Sequence, residues 1–360
     1  MAAFLSDVFP MAAPQDAPLQ TLFLPFDNGL LDWPQGPVLF LNARDGWPLR
    51  AHAQPGQVIC EQGFRPFAQA LEQAGLSVRG DADEAGTRFA LVLVLPPRQR
   101  EEARALFARA LSLTAAGGVI VACQSNNEGA RSGESDLQQL AGLGGKTTKH
   151  HCRVYWTAPQ EGAHDADLLR RWQALDAPRR ILDGRFMSRP GLFAWDRIDP
   201  ASRMLVEQLP TDLRGRGADL GAGYGYLSAE VLARNPQVEV MDLYEAQARA
   251  LAMAKVNLEG QGPATLGFHW QDVTAGIEAR YDFIVSNPPF HTPSREDRPD
   301  IGQRFIAVAA QALRPGGRLW LVANRHLPYE QILNERFGDV RVAAERDGFK
   351  VIAAVRGGRA

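Results

Sequence analysis

The chain has 360 residues, 45% hydrophobic and 22% charged, enough for two domains with ample apolar core. A formal charge of −2 and a pI near 6.4 exclude a uniformly basic nucleic-acid coat but leave room for a local basic groove. Three separated cysteines without a CxxC pair, no HExxH, no apolar run of ~20 residues and no basic-then-apolar start predict a reduced, cytoplasmic protein with neither metal nor membrane span.

The first twenty residues read as a loose arm. Pro37–Leu41 then reads as a buried strand, and Phe64–Ala74 as a helix closed by Gly75. The continuous apolar run Phe89–Leu95 ends at Pro96-Pro97, the pattern of a strand covered on both faces. An amphipathic helix over Arg98–Leu113 and strands at Val119–Cys123 and Arg153–Trp156 follow. His150-His151, if in a strand, would point to opposite faces, which argues against a paired metal site. A helix over Asp165–Leu175 leads to a looser stretch, and the domain junction is placed near residue 176.

The second half repeats the alternation. Asp199-Pro200 opens a helix to about Leu209; strand Gly217–Leu220, helix Gly225–Arg234, strand Val238–Tyr244 and helix Ala246–Leu258 come next. Strands Leu266–Trp270 and Tyr281–Ser286, helix Arg304–Leu313 and strand Gly317–Ala323 continue the series. The runs Val340–Arg346 and Phe349–Val355 meet at Asp347-Gly348, a strong hairpin signal. The expected fold is therefore α/β: two tandem Rossmann-like units, the second closed by an antiparallel hairpin.

Chemistry concentrates in the second half. Asp219-Leu-Gly221-Ala-Gly223-Tyr-Gly225 joins a strand to a helix through glycines that let the backbone approach a ligand and present free N–H groups. Glu245 ends the next strand, 26 residues after Asp219, where a carboxylate can accept hydrogen bonds from ribose hydroxyls. Asp242 is the rival carboxylate, on the other face of that strand. Ala250, Ala254 and Asn257 set the register of the following helix. Asp272, just after the third strand, suits an adenine amino group or a helix cap. Asn287-Pro288-Pro289-Phe290 follows an apolar strand directly. The Asn287 side-chain oxygen and the Pro288 carbonyl could hold an –NH₂ group while Phe290 stacks on the attached ring.

These residues together resemble the class I S-adenosylmethionine-dependent N-methyltransferases. Pro190-Gly-Leu-Phe193, Asn287–His291, Val322–Tyr329 and Gly348–Val351 resemble in particular the bacterial rRNA guanine-N2 methyltransferases of the small-subunit type, as do Ser125–Ser135 and Cys152–Tyr155 in the front half. The resemblance implies residues 1–175 as a degenerate methyltransferase copy that recognises or holds RNA, and residues 176–360 as the catalytic domain. It implies S-adenosylmethionine as cofactor, with Gly221, Gly223 and Gly225 along its methionine part, Asp219 at its amino group, Glu245 at the ribose and Asp272 at the adenine. Phe193 would cover the cofactor or the target base, and Asn287, Pro288 and Phe290 would be catalytic. Ribosomal RNA or the small ribosomal subunit is the expected partner, and a monomer the expected state.

No separate base stands out, His291 and His326 being candidates for shape or phosphate contact. Two strips could track RNA phosphates: Arg131, Lys146, Lys149, His150 and Arg153, and Arg179, Arg180, Arg185 and Arg189. The tetrad by itself leaves guanine, adenine and glutamine amides open as acceptors. The large-subunit guanine enzyme, a glutamine methyltransferase and a non-catalytic RNA-binding protein are the alternatives.

Overall fold

The computed structural model describes residues 16–79, 86–162, 164–289 and 299–358. Helix α1 (Ala17–Asp27) opens the chain, capped by the Asp16 side chain, which accepts from the Leu19 N–H at 3.1 Å. It buries Leu19, Leu22 and Phe23 against the first sheet, so the loose arm expected over the first twenty residues gives way to packed helix from Ala17 onward. Five parallel strands follow: β1 (Val38–Leu41), β2 (Val58–Glu61), β3 (Ser77–Arg79), β4 (Phe89–Val94) and β5 (Thr114–Ser125). Helices α2 (Trp47–His52), α3 (Arg65–Gln73) and α4 (Arg100–Leu113) connect them. After α5 (Ala130–Ala141), the antiparallel hairpin β6 (Gly145–Lys149) and β7 (Cys152–Trp156) completes the sheet.

His150 and His151 form the turn of that hairpin, at φ 51° and 55°, rather than lying in a strand. Both positions need the left-handed conformation that a two-residue turn between twisted strands imposes. Helix α6 (Ala166–Gln173) then packs Leu168 and Trp172 back into the first core.

A short hairpin, β8 (Arg179–Ile181) and β9 (Phe186–Ser188), sends Ile181 and Phe186 into the second core. Helix α7 (Pro200–Gln208) precedes the second sheet. Its strands are β10 (Gly215–Leu220), β11 (Val238–Glu245), β12 (Thr265–Trp270), β13 (Tyr281–Ser286) and β14 (Leu313–Asn324), connected through α8 (Tyr226–Arg234), α9 (Ala248–Leu258) and α10 (Pro299–Ala312). After α11 (Glu330–Arg336), strands β15 (Asp339–Arg346) and β16 (Phe349–Val355) form the expected hairpin, turning at Asp347-Gly348 with φ 51° and 81°.

The sheet orders are β3-β2-β1-β4-β5-β7-β6 and β12-β11-β10-β13-β14-β16-β15, one order written twice. Buried parallel strands explain the near-continuous apolar runs at Phe89–Val94 and Tyr281–Ser286: both faces of each sheet are covered by helices.

The halves meet through corresponding loops. The Arg65 N–H donates to the Ala246 carbonyl and the Ala248 N–H to the Gly63 carbonyl, each at 2.8 Å, around an antiparallel bridge between Phe64 and Gln247. Each loop follows the second strand of its sheet, so the contact has local two-fold symmetry. The Trp270 indole N–H donates to both Gly63 and Ala246 carbonyls, at 3.0 and 2.8 Å. Arg249 completes the junction, pairing with Glu102 and Asp176 and donating to the Pro190 carbonyl. Arg249→Met would leave the largely buried Glu102 without its cationic partner, while Asp176 keeps Arg189. We expect it to cost about 3 kcal/mol of stability, read as a lower urea midpoint with unchanged slope.

Candidate functional site

Strand β10 is central to the site. Its register pairs Leu220 with Tyr244 of β11 and with Ser286 of β13, so Gly221 lies between Glu245 and Asn287. On the next strand Glu245 pairs with Trp270, which places Asp272 two residues past the same sheet end. Asp272, Glu245, the glycine loop and Asn287 therefore line the carboxyl edge in a row. The chain order reverses direction between β10 and β13, the position at which open α/β sheets form a ligand crevice.

The loop holds three residues in the left-handed region: Gly221, Gly223 and Gly225, at φ 79°, 56° and 92°. They serve different ends. A Cβ on Gly225 would come within 3.2 Å of the Ala254 Cβ, so this glycine permits α8 and α9 to pack closely. A Cβ on Gly223 would meet nothing within 4 Å, so this glycine keeps open space above the backbone. Asn257 anchors the loop from α9, donating to the Tyr224 and Met187 carbonyls at 2.8 and 2.9 Å and accepting from the Met187 N–H at 2.6 Å.

Two carboxylates flank the loop. Asp219 is fully buried; one oxygen accepts from the Ser228 hydroxyl at 2.8 Å, and among the described residues the other has no partner. Burial pushes its carboxyl up to about 7. Glu245 accepts from the Gly223 N–H with one oxygen and from the Gln247 N–H with the other, both at 2.8 Å. Burial also raises its pKa, against those two bonds. Asp242 lies elsewhere, held by Arg216 at 2.6 Å, the Tyr281 hydroxyl at 2.9 Å and His269 at 3.1 Å. Burial opposes its ionisation, but these donors outweigh burial and keep the carboxyl below its ordinary range. The rival carboxylate is thus part of a structural network.

Asp272 caps a short 3-10 turn, one oxygen accepting from the Thr274 N–H at 2.8 Å and its hydroxyl at 2.7 Å. The cap and the sheet-edge position coexist. Asn287 donates through Nδ2 to Asp199 at 3.0 Å and to the Ser202 hydroxyl oxygen at 2.8 Å, while the Ser286 hydroxyl donates to the Leu220 carbonyl at 2.6 Å. Pro288 is buried; Phe290 and His291 lie outside the described residues. Phe193 is 68% exposed, on the segment that the Tyr224 hydroxyl ties down by donating to the Arg197 carbonyl at 3.0 Å.

Asp199, Ser202, Ser228 and Tyr224 were not legible as site residues. Asp199 reads as the cap of α7, and it does accept from the Ser202 N–H at 2.8 Å, but Asn287 is 88 residues away in the chain. The basic strips are largely neutralised. Lys146 and Arg153 share Glu134, Arg179 pairs with Glu101, Arg185 with Glu230 and Arg189 with Asp176. Among the described residues only Arg131, Lys149, His150 and Arg180 of these strips face no carboxylate.

The first sheet offers the corresponding positions with different side chains. Leu41 pairs with Glu61 and Val94 as Leu220 pairs with Tyr244 and Ser286, so Asn42 corresponds to Gly221, Arg44 to Gly223, Gln62 to Glu245 and Leu95 to Asn287. The Phe64 N–H donates to Gln62 Oε1 at 2.8 Å, as Gln247 does to Glu245. The Asn42 amide donates to the Leu95 carbonyl at 3.1 Å, a side-chain bond at the position that Gly221 takes in the second sheet. The double proline persists, as Pro96-Pro97 and Pro288-Pro289.

Among the described residues no helix is long and apolar enough to cross a membrane, and no group of three or more His, Cys, Asp or Glu could hold a metal. Comparison with known proteins adds three findings. Residues 183–353 match the family described as the methyltransferase small domain. The chain is 30% identical over 329 residues to the ribosomal RNA small subunit methyltransferase C of Citrobacter koseri, covering 90% of this chain and 93% of that one, and 26% identical to its counterpart in Psychromonas ingrahamii, covering 87% and 90%. A solved T. thermophilus 16S rRNA N2 methyltransferase, in complex with AdoMet and guanosine, is 26% identical with a TM-score of 0.78, covering 95% of this chain and 92% of that one. The 30% identity over 90% of the chain, together with the match of fold, places this chain in the ribosomal RNA small subunit methyltransferase C family, within the class I S-adenosylmethionine-dependent methyltransferases.

Proposed function

We propose that the protein transfers a methyl group from S-adenosylmethionine to the 2-amino group of a guanine in 16S rRNA. The observation that carries the reading is Asn287 at the end of β13, its amide nitrogen tethered behind it and its oxygen taking no hydrogen bond among the described residues, beside the glycine loop. Residues 176–360 are the catalytic domain.

The crevice suits the cofactor. A buried carboxylate with one unpartnered oxygen, Asp219, calls for a cationic amino group. Glu245 is fixed by two backbone donors and retains lone pairs for ribose hydroxyls. Gly221 and Gly223 leave room for the methionine part, Asp272 stands at the adenine, and Phe193 covers the cofactor or the base. Bound S-adenosylmethionine supplies an electrophilic methyl group on a sulfonium. Asn287 Oδ1 and the Pro288 carbonyl accept the two hydrogens of the target amine and aim its lone pair; Phe290 stacks on the guanine ring. Catalysis is then positioning and electrostatic stabilisation of a nitrogen that becomes positive as its bond to the methyl carbon forms, the methyl–sulfur electron pair staying on sulfur and the surplus amine proton leaving to solvent.

Residues 1–175 are a copy without cofactor binding that recognises or holds RNA. Neutral Gln62 replaces Glu245, Asn42 replaces Gly221 and bonds the Leu95 carbonyl, and Leu95 offers no acceptor side chain where Asn287 would stand. An rRNA substrate supports a cytoplasmic location.

Incubation with labelled cofactor and naked 16S rRNA, 30S subunits, 50S subunits or a release-factor protein, followed by nucleoside mass spectrometry, should give N2-methylguanosine in 16S rRNA. Label confined to protein or to 50S subunits would overturn the assignment. Asn287→Ala should lower kcat roughly 100- to 1,000-fold with little change in S-adenosylhomocysteine affinity. Calorimetry should find one S-adenosylhomocysteine site per chain, weakened about 100-fold by Glu245→Ala through loss of charge-assisted bonds; two sites would refute the inert copy.

Asp219 adds a pH signature. Because its folded pKa is raised, its contribution to stability of the unliganded protein is present below ~pH 4 and lost as pH rises through about 7. An adjacent ammonium favours the ionised form, so binding at about pH 6 should release protons. Calorimetry in buffers of different ionisation enthalpy should detect the release, and Asp219→Asn should remove most of it.

A further inference from the structure

We infer that Asp199 and Ser202 are positioning residues that orient the Asn287 amide and strengthen its oxygen as the acceptor for the target amine, an inference that rests on Asn287 holding that amine. Both Nδ2 hydrogens of Asn287 are committed, one to Asp199 Oδ2 at 3.0 Å and one to Ser202 Oγ at 2.8 Å. None remains for a substrate. Among the described residues no group donates to Oδ1, so the amide presents an acceptor alone toward the crevice.

The carboxylate removes the ambiguity of an amide's orientation. Ionised Asp199 can only accept, and its Oδ2 already accepts from the Ser202 N–H at 2.8 Å. A flipped Asn287 would place its oxygen against that negative oxygen and direct two N–H groups at the amine it must bind. The flip exchanges two attractions for two repulsions, at the carboxylate and at the amine. A second effect follows from charge: an amide N–H bonded to a carboxylate is polarised, and electron density shifts to the amide oxygen. That oxygen faces the amine hydrogens, which become more positive as the methyl–nitrogen bond forms and the methyl–sulfur bond breaks. The interaction therefore grows toward the transition state.

The fold makes Asp199 rigid. It is the cap of α7, and Ser202 lies one helical turn inside, 8% exposed. Two residues before Asp199, the Arg197 carbonyl accepts the Tyr224 hydroxyl of the glycine loop. One short segment thus touches both the cofactor loop and the amide.

The test separates orientation from capping. Asparagine at 199 still caps a helix and still bonds an amide, but it is neutral and tolerates either orientation of Asn287. Asp199→Asn should lower kcat on 16S rRNA roughly 10- to 100-fold, the range found when the partner behind a primary group is removed. Thermal midpoint, S-adenosylhomocysteine affinity and KM for RNA should stay near the parent values. Ser202→Ala should lower kcat less, without moving affinity. Combined with Asn287→Ala, neither change should reduce kcat further. Parent kcat in both Asp199→Asn and Ser202→Ala would overturn the inference, as would additive losses in the double variants. Parent kcat in Asn287→Ala would instead overturn the underlying role of Asn287.

Discussion

The site depends on the register of one strand. β10 is flanked by β11 and β13 in a parallel ladder, and parallel pairing sets the three carboxyl ends level: Leu220 beside Tyr244 on one side and Ser286 on the other. A shift of one residue would reverse the faces of β10 and separate the glycine loop from both polar partners. Core packing protects the register, because Ala218 and Leu220 face one buried cluster while Gly217 makes room for the Phe283 ring beside it. The polar groups add specificity to that register. Asp219 and Glu245 are held by a hydroxyl and by loop N–H groups, and Ser286 stitches β13 to the end of β10.

The same register occurs in the first sheet with the opposite chemical content. Asn42, Arg44, Gln62 and Leu95 occupy positions that in the second sheet are two glycines, a carboxylate and the Asn287 amide. Each exchange adds a side chain, removes a charge or removes a polar acceptor. Pro96-Pro97 remain because stiff backbone leaving a strand serves the fold whether or not a ligand binds. The two copies touch at matching loops, through a reciprocal pair of backbone hydrogen bonds around Phe64 and Gln247. Gln247 also donates its N–H to Glu245, so the front copy abuts the loop that fixes the proposed ribose carboxylate. By this contact the first domain can shape the site of its neighbour.

Electrostatics in the interior follow the same division. Asp242 is buried with Arg216, His269 and Tyr281 and remains ionised as structure; Asp219 is buried with one hydroxyl and is pushed up to about 7. The difference is the supply of donors. Arginines expected to form open RNA strips are instead mostly paired, as with Arg185 at Glu230 and Arg189 at Asp176. A near-neutral chain distributes its arginines as partners before it leaves any for a ligand.

Local signals carried much of this architecture. Apolar runs, caps, glycines and the Asp347-Gly348 turn act within a few residues, so the strands of the second sheet, β1, β4, β5 and β7 of the first, most long helices, the glycine loop, Glu245 and the tetrad were legible from the chain alone, whereas the short β2, β3, β6, β8 and β9 were not. Helix α1 was not, since its support is burial against the first sheet rather than a local pattern. His150-His151 misled because strand and turn differ there only by the hairpin they close. Pairings across long stretches of chain were beyond any local rule: Asp199 with Asn287, Arg249 with Glu102 and Asp176, and Gly63 with Ala248. By itself the sequence determined the kinds of element and the residues able to bind or react, because these follow from neighbours along the chain. The tertiary structure decided which carboxylate faces the crevice, which way the amide points and which arginines are already paired, because each depends on a partner that only folding brings near.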